Sequence, residues 1–144
     1  MAVADEIPLR PLPWPDAISA GFWEGAKAGE LRIQKCRYCE RWQHPPAIAC
    51  MACGSEELGF QPLPGGLRLY SWTVLHDAPA PGFKTMLPLI LGLAEAEAQQ
   101  GLLIAANILG TGESALRLGM PLTPVFEPIG EGHVLVQFKP ATGQ

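Results

Sequence analysis

The chain is short of charge: of its 144 residues only 10 are lysine or arginine and 14 aspartate or glutamate, a net −4. General nucleic-acid binding rests on clustered cations that neutralise phosphates, so a nonspecific DNA or RNA binder is disfavoured. Long apolar runs are also missing. The longest, Met86 to Ala94, is nine residues with Pro88 and Gly92 inside it, against the roughly 20 that span a bilayer. No transmembrane helix is expected. Asp5 and Glu6 precede the first basic residue, Arg10, and no apolar core with a small-residue cleavage site follows, so export is not indicated. Cysteine is absent before position 36 and after position 53. Four cysteines crowded into that window, without an export signal, read as metal ligands rather than disulfides and place the chain in a reducing cytoplasm.

Catalytic constellations are lacking as well. There is no G-x-S-x-G elbow, no G-x-G-x-x-G after a strand, no G-x-x-x-x-G-K-[ST] and no H-E-x-x-H. His44, His76 and His133 are scattered among carboxylates that form no acid/base pair, and Glu95 with Glu97 reads as a solvated turn flank. Glycine and proline, 16 and 15 residues, are plentiful and argue against a helical bundle and for short strands with many turns.

Prolines 8, 11, 13 and 15 make the first residues an extended arm carrying Leu12 and Trp14. From Asp16, a capping residue, Ile18, Phe22 and Ala26 recur at helical spacing until Gly29. Leu31 to Lys35 alternates as a strand that enters the cysteine segment. Strand-like runs follow over 67–76, 87–95, 102–109, 122–126 and 133–138, with a hairpin turn at Gln99 to Gly101, a helical turn near Ser114 to Gly119 and a loose tail from Pro140. In the first of these runs Tyr70, Trp72 and Val74 share one face. Five short strands suit a small closed barrel of the OB type better than a sandwich. The expected fold is mainly β: an arm and N-terminal helix over residues 1–30, a zinc ribbon over 31–60, and a five-stranded OB-fold barrel over 61–144.

Cys36-x-x-Cys39 and Cys50-x-x-Cys53, ten residues apart, let four thiolates converge on one zinc ion, with Gly54 easing the second turn. Four cysteine ligands make a closed structural site, one zinc per chain, with no position for reactive water. Arg32, Lys35, Arg37 and Arg41 crowd around it. They offset the charge of the thiolates, or they contact phosphate, including that of coenzyme A. His76 and Phe83, at the ends of the Pro-rich loop after the first barrel strand, are candidate ligand or partner contacts with Arg37 and Arg41.

Phe22-Trp23-Glu24-Gly25, the two cysteine knuckles with Trp42, Pro45-Pro46 and Gly54, Tyr70-Ser71-Trp72-Thr73-Val74 with His76, and Gly119-Met120-Pro121 together resemble a known family over nearly the whole chain. It is the zinc-ribbon plus OB-fold family, formerly a domain of unknown function, whose members accompany thiolase-type enzymes. The resemblance implies an N-terminal helical hairpin, a rubredoxin-like zinc ribbon on Cys36, Cys39, Cys50 and Cys53, and a C-terminal OB barrel. It implies a noncatalytic subunit that binds a thiolase, a thiolase-like aldolase or a hydroxymethylglutaryl-CoA synthase relative, in some cases beside hydratase-like domains, and helps form an acyl-CoA site. The prolines at 8–15 depart from the first helix of that pattern. A free-standing acyl-CoA carrier is the alternative, and a single-stranded nucleic-acid binder a weaker one.

Overall fold

The computed structural model describes residues 10–78 and 80–141. Asp5, Glu6, Pro8, Pro79 and the tail residues 142–144 lie outside the described residues. From Arg10 to Pro15 the chain is neither helix nor strand, as its alternating prolines require. Arg10 ties this arm to the barrel through Glu127 at 3.1 Å. Trp14 is 94% exposed and rests on nothing in this chain that is described.

Helix α1 spans Ala20–Lys27 and starts later than Asp16 suggests. The Asp16 carboxylate accepts from the Ser19 N–H at 2.8 Å, and the Ser19 hydroxyl accepts from the Asp16 N–H at 3.1 Å. This reciprocal turn precedes the helix and leaves Ile18 outside it, 37% exposed. Phe22 and Ala26 still face the core. Gly21 permits close docking, because a β-carbon there would collide with the ring of Phe60. No second helix precedes α1 among the described residues, so the helical hairpin implied by the resemblance is not found there.

Three strands, β1 (Arg32–Cys36), β2 (Trp42–Gln43) and β3 (Leu58–Pro62), pair antiparallel in the order β2-β1-β3 and form the ribbon. Five more, β4 (Leu67–Leu75), β5 (Leu89–Ala96), β6 (Leu103–Asn107), β7 (Pro121–Gly130) and β8 (His133–Pro140), pair in the order β6-β5-β4-β7-β8. The sheet closes into an OB-like barrel where Ile108 bridges Phe138 and the Leu109 N–H donates to the Phe138 carbonyl at 2.7 Å. Pro140, expected in a loose tail, ends β8 opposite Leu122.

Prolines 121, 124 and 128 sit inside β7 without breaking it, and the register explains how. Ala141 donates to the Pro121 carbonyl, so odd-numbered residues of β7 exchange bonds with β8 and even-numbered ones point away from it. The missing N–H groups of Pro124 and Pro128 therefore fall on the side where pairing with β4, limited to Leu67↔Leu122 and Arg68↔Pro121, has already stopped.

A bulge in β4 between Leu69 and Ser71 corrects the expected face of Tyr70. One extra residue there shifts the alternation, so Leu67 and Leu69 turn inward before it and Trp72 and Val74 after it, while Tyr70 is 53% exposed. One core runs through the whole molecule: Ala26 of the helix, Ile33 and Trp42 of the ribbon, and Leu69, Ile104 and Phe138 of the barrel belong to a single buried cluster. Gln99, in the turn between β5 and β6, clamps ribbon to barrel. Its side-chain amide accepts from the Trp42 N–H at 2.9 Å and donates to the Trp42 carbonyl at 2.8 Å.

Candidate metal centre and docking face

The two cysteine knuckles are near copies. In the first, the N–H groups of Tyr38 and Cys39 donate to the Cys36 sulfur and the Glu40 N–H to the Cys36 carbonyl. In the second, Ala52 and Cys53 donate to the Cys50 sulfur and Gly54 to the Cys50 carbonyl. Each turn ends on a residue with positive φ: Gly54 at +81° in one and Glu40 at +67° in the other, where a side chain is tolerated at some cost. Sequence reasoning found the glycine and passed over Glu40, because nothing in a glutamate signals a left-handed turn.

The turns bring the four sulfurs within 4.8 Å of one another, with Cys36 to Cys53 at 3.7 Å and Cys39 to Cys50 at 3.6 Å. Sulfurs placed about 2.3 Å from a tetrahedral zinc ion stand about 3.8 Å apart, so the donor set fits such an ion. The cysteine acidities agree. The Cys39 N–H, ahead of other donors, holds the Cys36 thiol below its ordinary value. The Cys53 and Ala52 N–H groups bring Cys50 down to about 6. Cys53 receives a lowering hydrogen bond from Ser55, yet desolvation and its bonds to Cys36, Cys39 and Cys50 push it up to about 12. Thiolates this close cannot all ionise without a cation to share.

Two glutamines hold the loop that brings Cys50 to the centre. Gln34 and Gln43 face each other across β1 and β2. Gln34 accepts from the Ala47 N–H and donates to the Ala47 carbonyl, both at 2.9 Å, while Gln43 donates to Gln34 at 2.6 Å and accepts from the Met51 N–H at 2.8 Å. Gln34 is buried, only 4% exposed. As a polar residue in an alternating strand it gave no sequence signal of a structural role.

His44 packs against Phe22, ring centres 5.4 Å apart, between two surface cavities of about 400 and 260 Å³. Burial pushes its pKa down from 6.5 to about 4. Below pH 6.5 an unfolded chain takes up a proton that the folded chain refuses, so stability falls as the pH drops toward 4 and the loss is complete below that. The expected loss is ~3 kcal/mol. Denaturant unfolding at pH 7 and 4.5 checks it, with His44→Asn expected to remove most of the difference between the two.

The four candidate contact residues do not form one group. Arg37 lies along β3, its guanidinium 2.8 Å from where a β-carbon on Gly59 would stand. Arg41 is exposed at the rim of the 260 Å³ cavity beside Trp42 and His44. His76 is exposed after β4, and Phe83 is half-buried ahead of a short 3-10 turn at Lys84–Met86. No hydrogen bond or ring contact joins either to Arg37 or Arg41 among the described residues. Two other cations of the ribbon are otherwise engaged: Arg32 pairs with Glu30 at 2.8 Å, and Lys35 lies 5.0 Å from the centre of the Trp42 ring.

A feature that the sequence reading missed is the outer face of β4, β5 and β6. With Ile90, Ala94, Ile104 and Ala106 turned inward, the register puts Leu91, Leu93, Leu103 and Ala105 on the outside, beside Thr73 and Leu75. Leu91 is 39% and Leu75 37% exposed. A shallow cavity of about 260 Å³ lies over Ser71, Thr73, Leu91, Leu93 and Ala105. It adjoins the 400 Å³ groove, which is walled by Phe22, Trp23, Pro46 and Leu135. Alternation separates the two faces of each strand, and only the closed barrel shows which of them faces out.

Residues 23–59 match the ChsH2 rubredoxin-like zinc ribbon domain, and residues 60–127 match the ChsH2 C-terminal OB-fold domain. The chain belongs to the ChsH2 family. Like the zinc ribbon of that family, it has four cysteines poised for one metal ion. It is similar to a solved structure described as an Ltp2-ChsH2 (DUF35) aldolase, with a TM-score of 0.79 and 29% identity, covering 90% of this chain and 99% of that one. A DUF35 protein from Sulfolobus solfataricus shares the fold at a TM-score of 0.59 and 16% identity, covering 87% and 86%. Over 136 residues this ChsH2-family chain is 31% identical to a probable enoyl-CoA hydratase alpha subunit of Thermomonospora curvata, covering 94% of the chain and 41% of that relative. Over 108 residues it is 29% identical to the 3-oxo-4,17-pregnadiene-20-carboxyl-CoA hydratase alpha subunit of Mycobacterium tuberculosis, covering 75% and 33%. The chain thus spans about two fifths or less of the curated relatives it matches. No helix among the described residues is long and apolar enough to cross a membrane.

Proposed function

We propose that this chain is a noncatalytic accessory subunit of an acyl-CoA enzyme, docking on a thiolase-like partner through the outer face of β4, β5 and β6 and helping to form or stabilise the partner's acyl-CoA site. Cys36, Cys39, Cys50 and Cys53 hold one structural zinc ion that shapes the ribbon beside this face. The observation that carries the reading is the character of the face itself. An OB barrel that binds single strands spreads stacking aromatics and cations over this face; here Arg68, Tyr70 and Glu95 stand at one end, and its centre is Leu91, Leu93 and Ala105 beside Thr73 and Leu75. An apolar patch of that kind on a surface marks a protein interface. The solved aldolase that carries a ChsH2 chain and the hydratase alpha subunits among the relatives support a partner of acyl-CoA metabolism.

The experiment is co-expression with a thiolase-like aldolase of the source organism, for the wild-type chain and for Leu91→Arg. A charge at the centre of the face is expected to weaken the complex by about 30-fold, the ~2 kcal/mol of an interface anchor, with zinc content unchanged. Turnover of acyl-CoA by the purified chain alone would overturn the reading. Retention of coenzyme A by the chain without any enzyme partner would favour the free-standing carrier instead.

A further inference from the structure

We infer that the free edge of β6 takes up an extended segment of the partner enzyme by strand addition, so that the complex is joined by backbone hydrogen bonds as well as by apolar side chains. This rests on the docking reading above.

The register shows which groups are free. Ile108 donates to the Ile90 carbonyl at 2.9 Å and Ala96 to the Leu102 carbonyl at 3.0 Å. Even-numbered residues of β6 therefore exchange bonds with β5, and the N–H and C=O groups of Leu103 and Ala105 point the other way. On that side lies β8, but the two strands meet only near one end. They are joined by the Ile108↔Phe138 bridge, by the Leu109 to Phe138 bond, and by Gln137, whose side chain accepts from the Asn107 N–H at 2.8 Å in place of a strand partner. Among the described residues no strand pairs with the outward edge of Leu103 or Ala105.

Exposed edges are normally blunted by lysine, proline or an inward charge. Leu103-Ile104-Ala105-Ala106-Asn107 has none of these, whereas β7 carries three prolines. The 400 Å³ groove opens onto the seam at Ala105 and Asn107, with Leu135 and Gln137 across from them and Phe22, Trp23 and Pro46 as its far wall, and it meets the apolar docking face at Leu91 and Ala105. An extended chain laid there would satisfy the free donors and acceptors and set alternate side chains against Leu91 and Leu135. The fitting segment is uncharged and alternates apolar residues.

Ala105→Pro tests this without touching the fold, because the N–H it removes faces away from β5 and proline is tolerated on an edge strand. Ala105→Val is the control, adding comparable bulk while keeping the N–H. Binding of the co-expressed enzyme subunit is expected to weaken more than about tenfold for Ala105→Pro and less than about threefold for Ala105→Val, a difference of ~1 kcal/mol for the lost bond. In the wild-type complex the Leu103 and Ala105 amides should become protected from hydrogen exchange, a readout that holds even if the proline variant folds poorly. Equal losses in both variants, or exchange as fast in the complex as in the free chain, would overturn strand addition and leave side-chain docking standing. Failure of the wild-type chain to bind any thiolase-like subunit would instead remove both readings.

Discussion

Cys39→Ser is expected to empty the ribbon of metal and unfold it. The ribbon is three short strands, one of them the two-residue β2, with a loop held by Gln34 and Gln43. Its own apolar residues are few, chiefly Leu31, Ile33 and Trp42, and a module of that size depends on a metal for its folding free energy. Structural zinc contributes on the order of 10–16 kcal/mol in zinc-finger peptides, far more than the hydrogen bonds around such a site. Losing one thiolate opens the tetrahedron. It also leaves Cys50, whose sulfur lies 3.6 Å from that of Cys39, without its partner. Metal analysis should show zinc falling from one per chain to near zero. The near-ultraviolet signal of Trp42 should fade with it, since Trp42 packs on the Lys35 side chain and bonds to Gln99 only in the folded ribbon. Zinc content equal to wild type would contradict the four-sulfur centre.

The four-cysteine cluster was legible because metal chemistry forces a spacing. Two C-x-x-C turns can serve few other purposes, and the knuckle hydrogen bonds follow from that spacing whatever surrounds them. The five barrel strands were legible for a similar reason: β-branched and leucine-rich runs bounded by glycine and proline have little choice of local structure. Facing was not. Tyr70 turned out because a single bulge shifts the alternation of β4, and no residue type announces a bulge. The outward facing of Leu91 and Leu93 was not read at all, because a strand's two faces look alike until the barrel closes around one of them. The start of α1 was misplaced by the reciprocal Asp16 and Ser19 turn, in which a good capping residue serves the turn ahead of the helix. Gln34 and Gln99 were overlooked for a common reason. Their effect lies in paired bonds to the backbone of residues 13 and 57 positions away, and sequence spacing carries no trace of such contacts.

Phe138→Ala should be the costliest single change in the barrel, and its contrast with Leu91→Arg separates the two duties of the same sheet. Phe138 is fully buried, packs in the cluster that spans helix, ribbon and barrel, and carries the carbonyl that closes the sheet onto Leu109. Truncation to alanine leaves a cavity at the one place where β8 and the end of β6 meet, and buried Phe→Ala changes cost about 3–5 kcal/mol. For a domain of this size that lowers Tm by roughly 10–15 °C. Calorimetry or thermal circular dichroism measures it, and a shift below about 3 °C would mean that the seam closes without this ring. Leu91 lies on β5 with its side chain turned outward and 39% exposed. Arginine there leaves the core untouched, so Tm should move little while partner binding falls. The two effects are separable because inward and outward positions alternate along the strands, which lets the fold hold its core constant while the outer face is shaped for a partner.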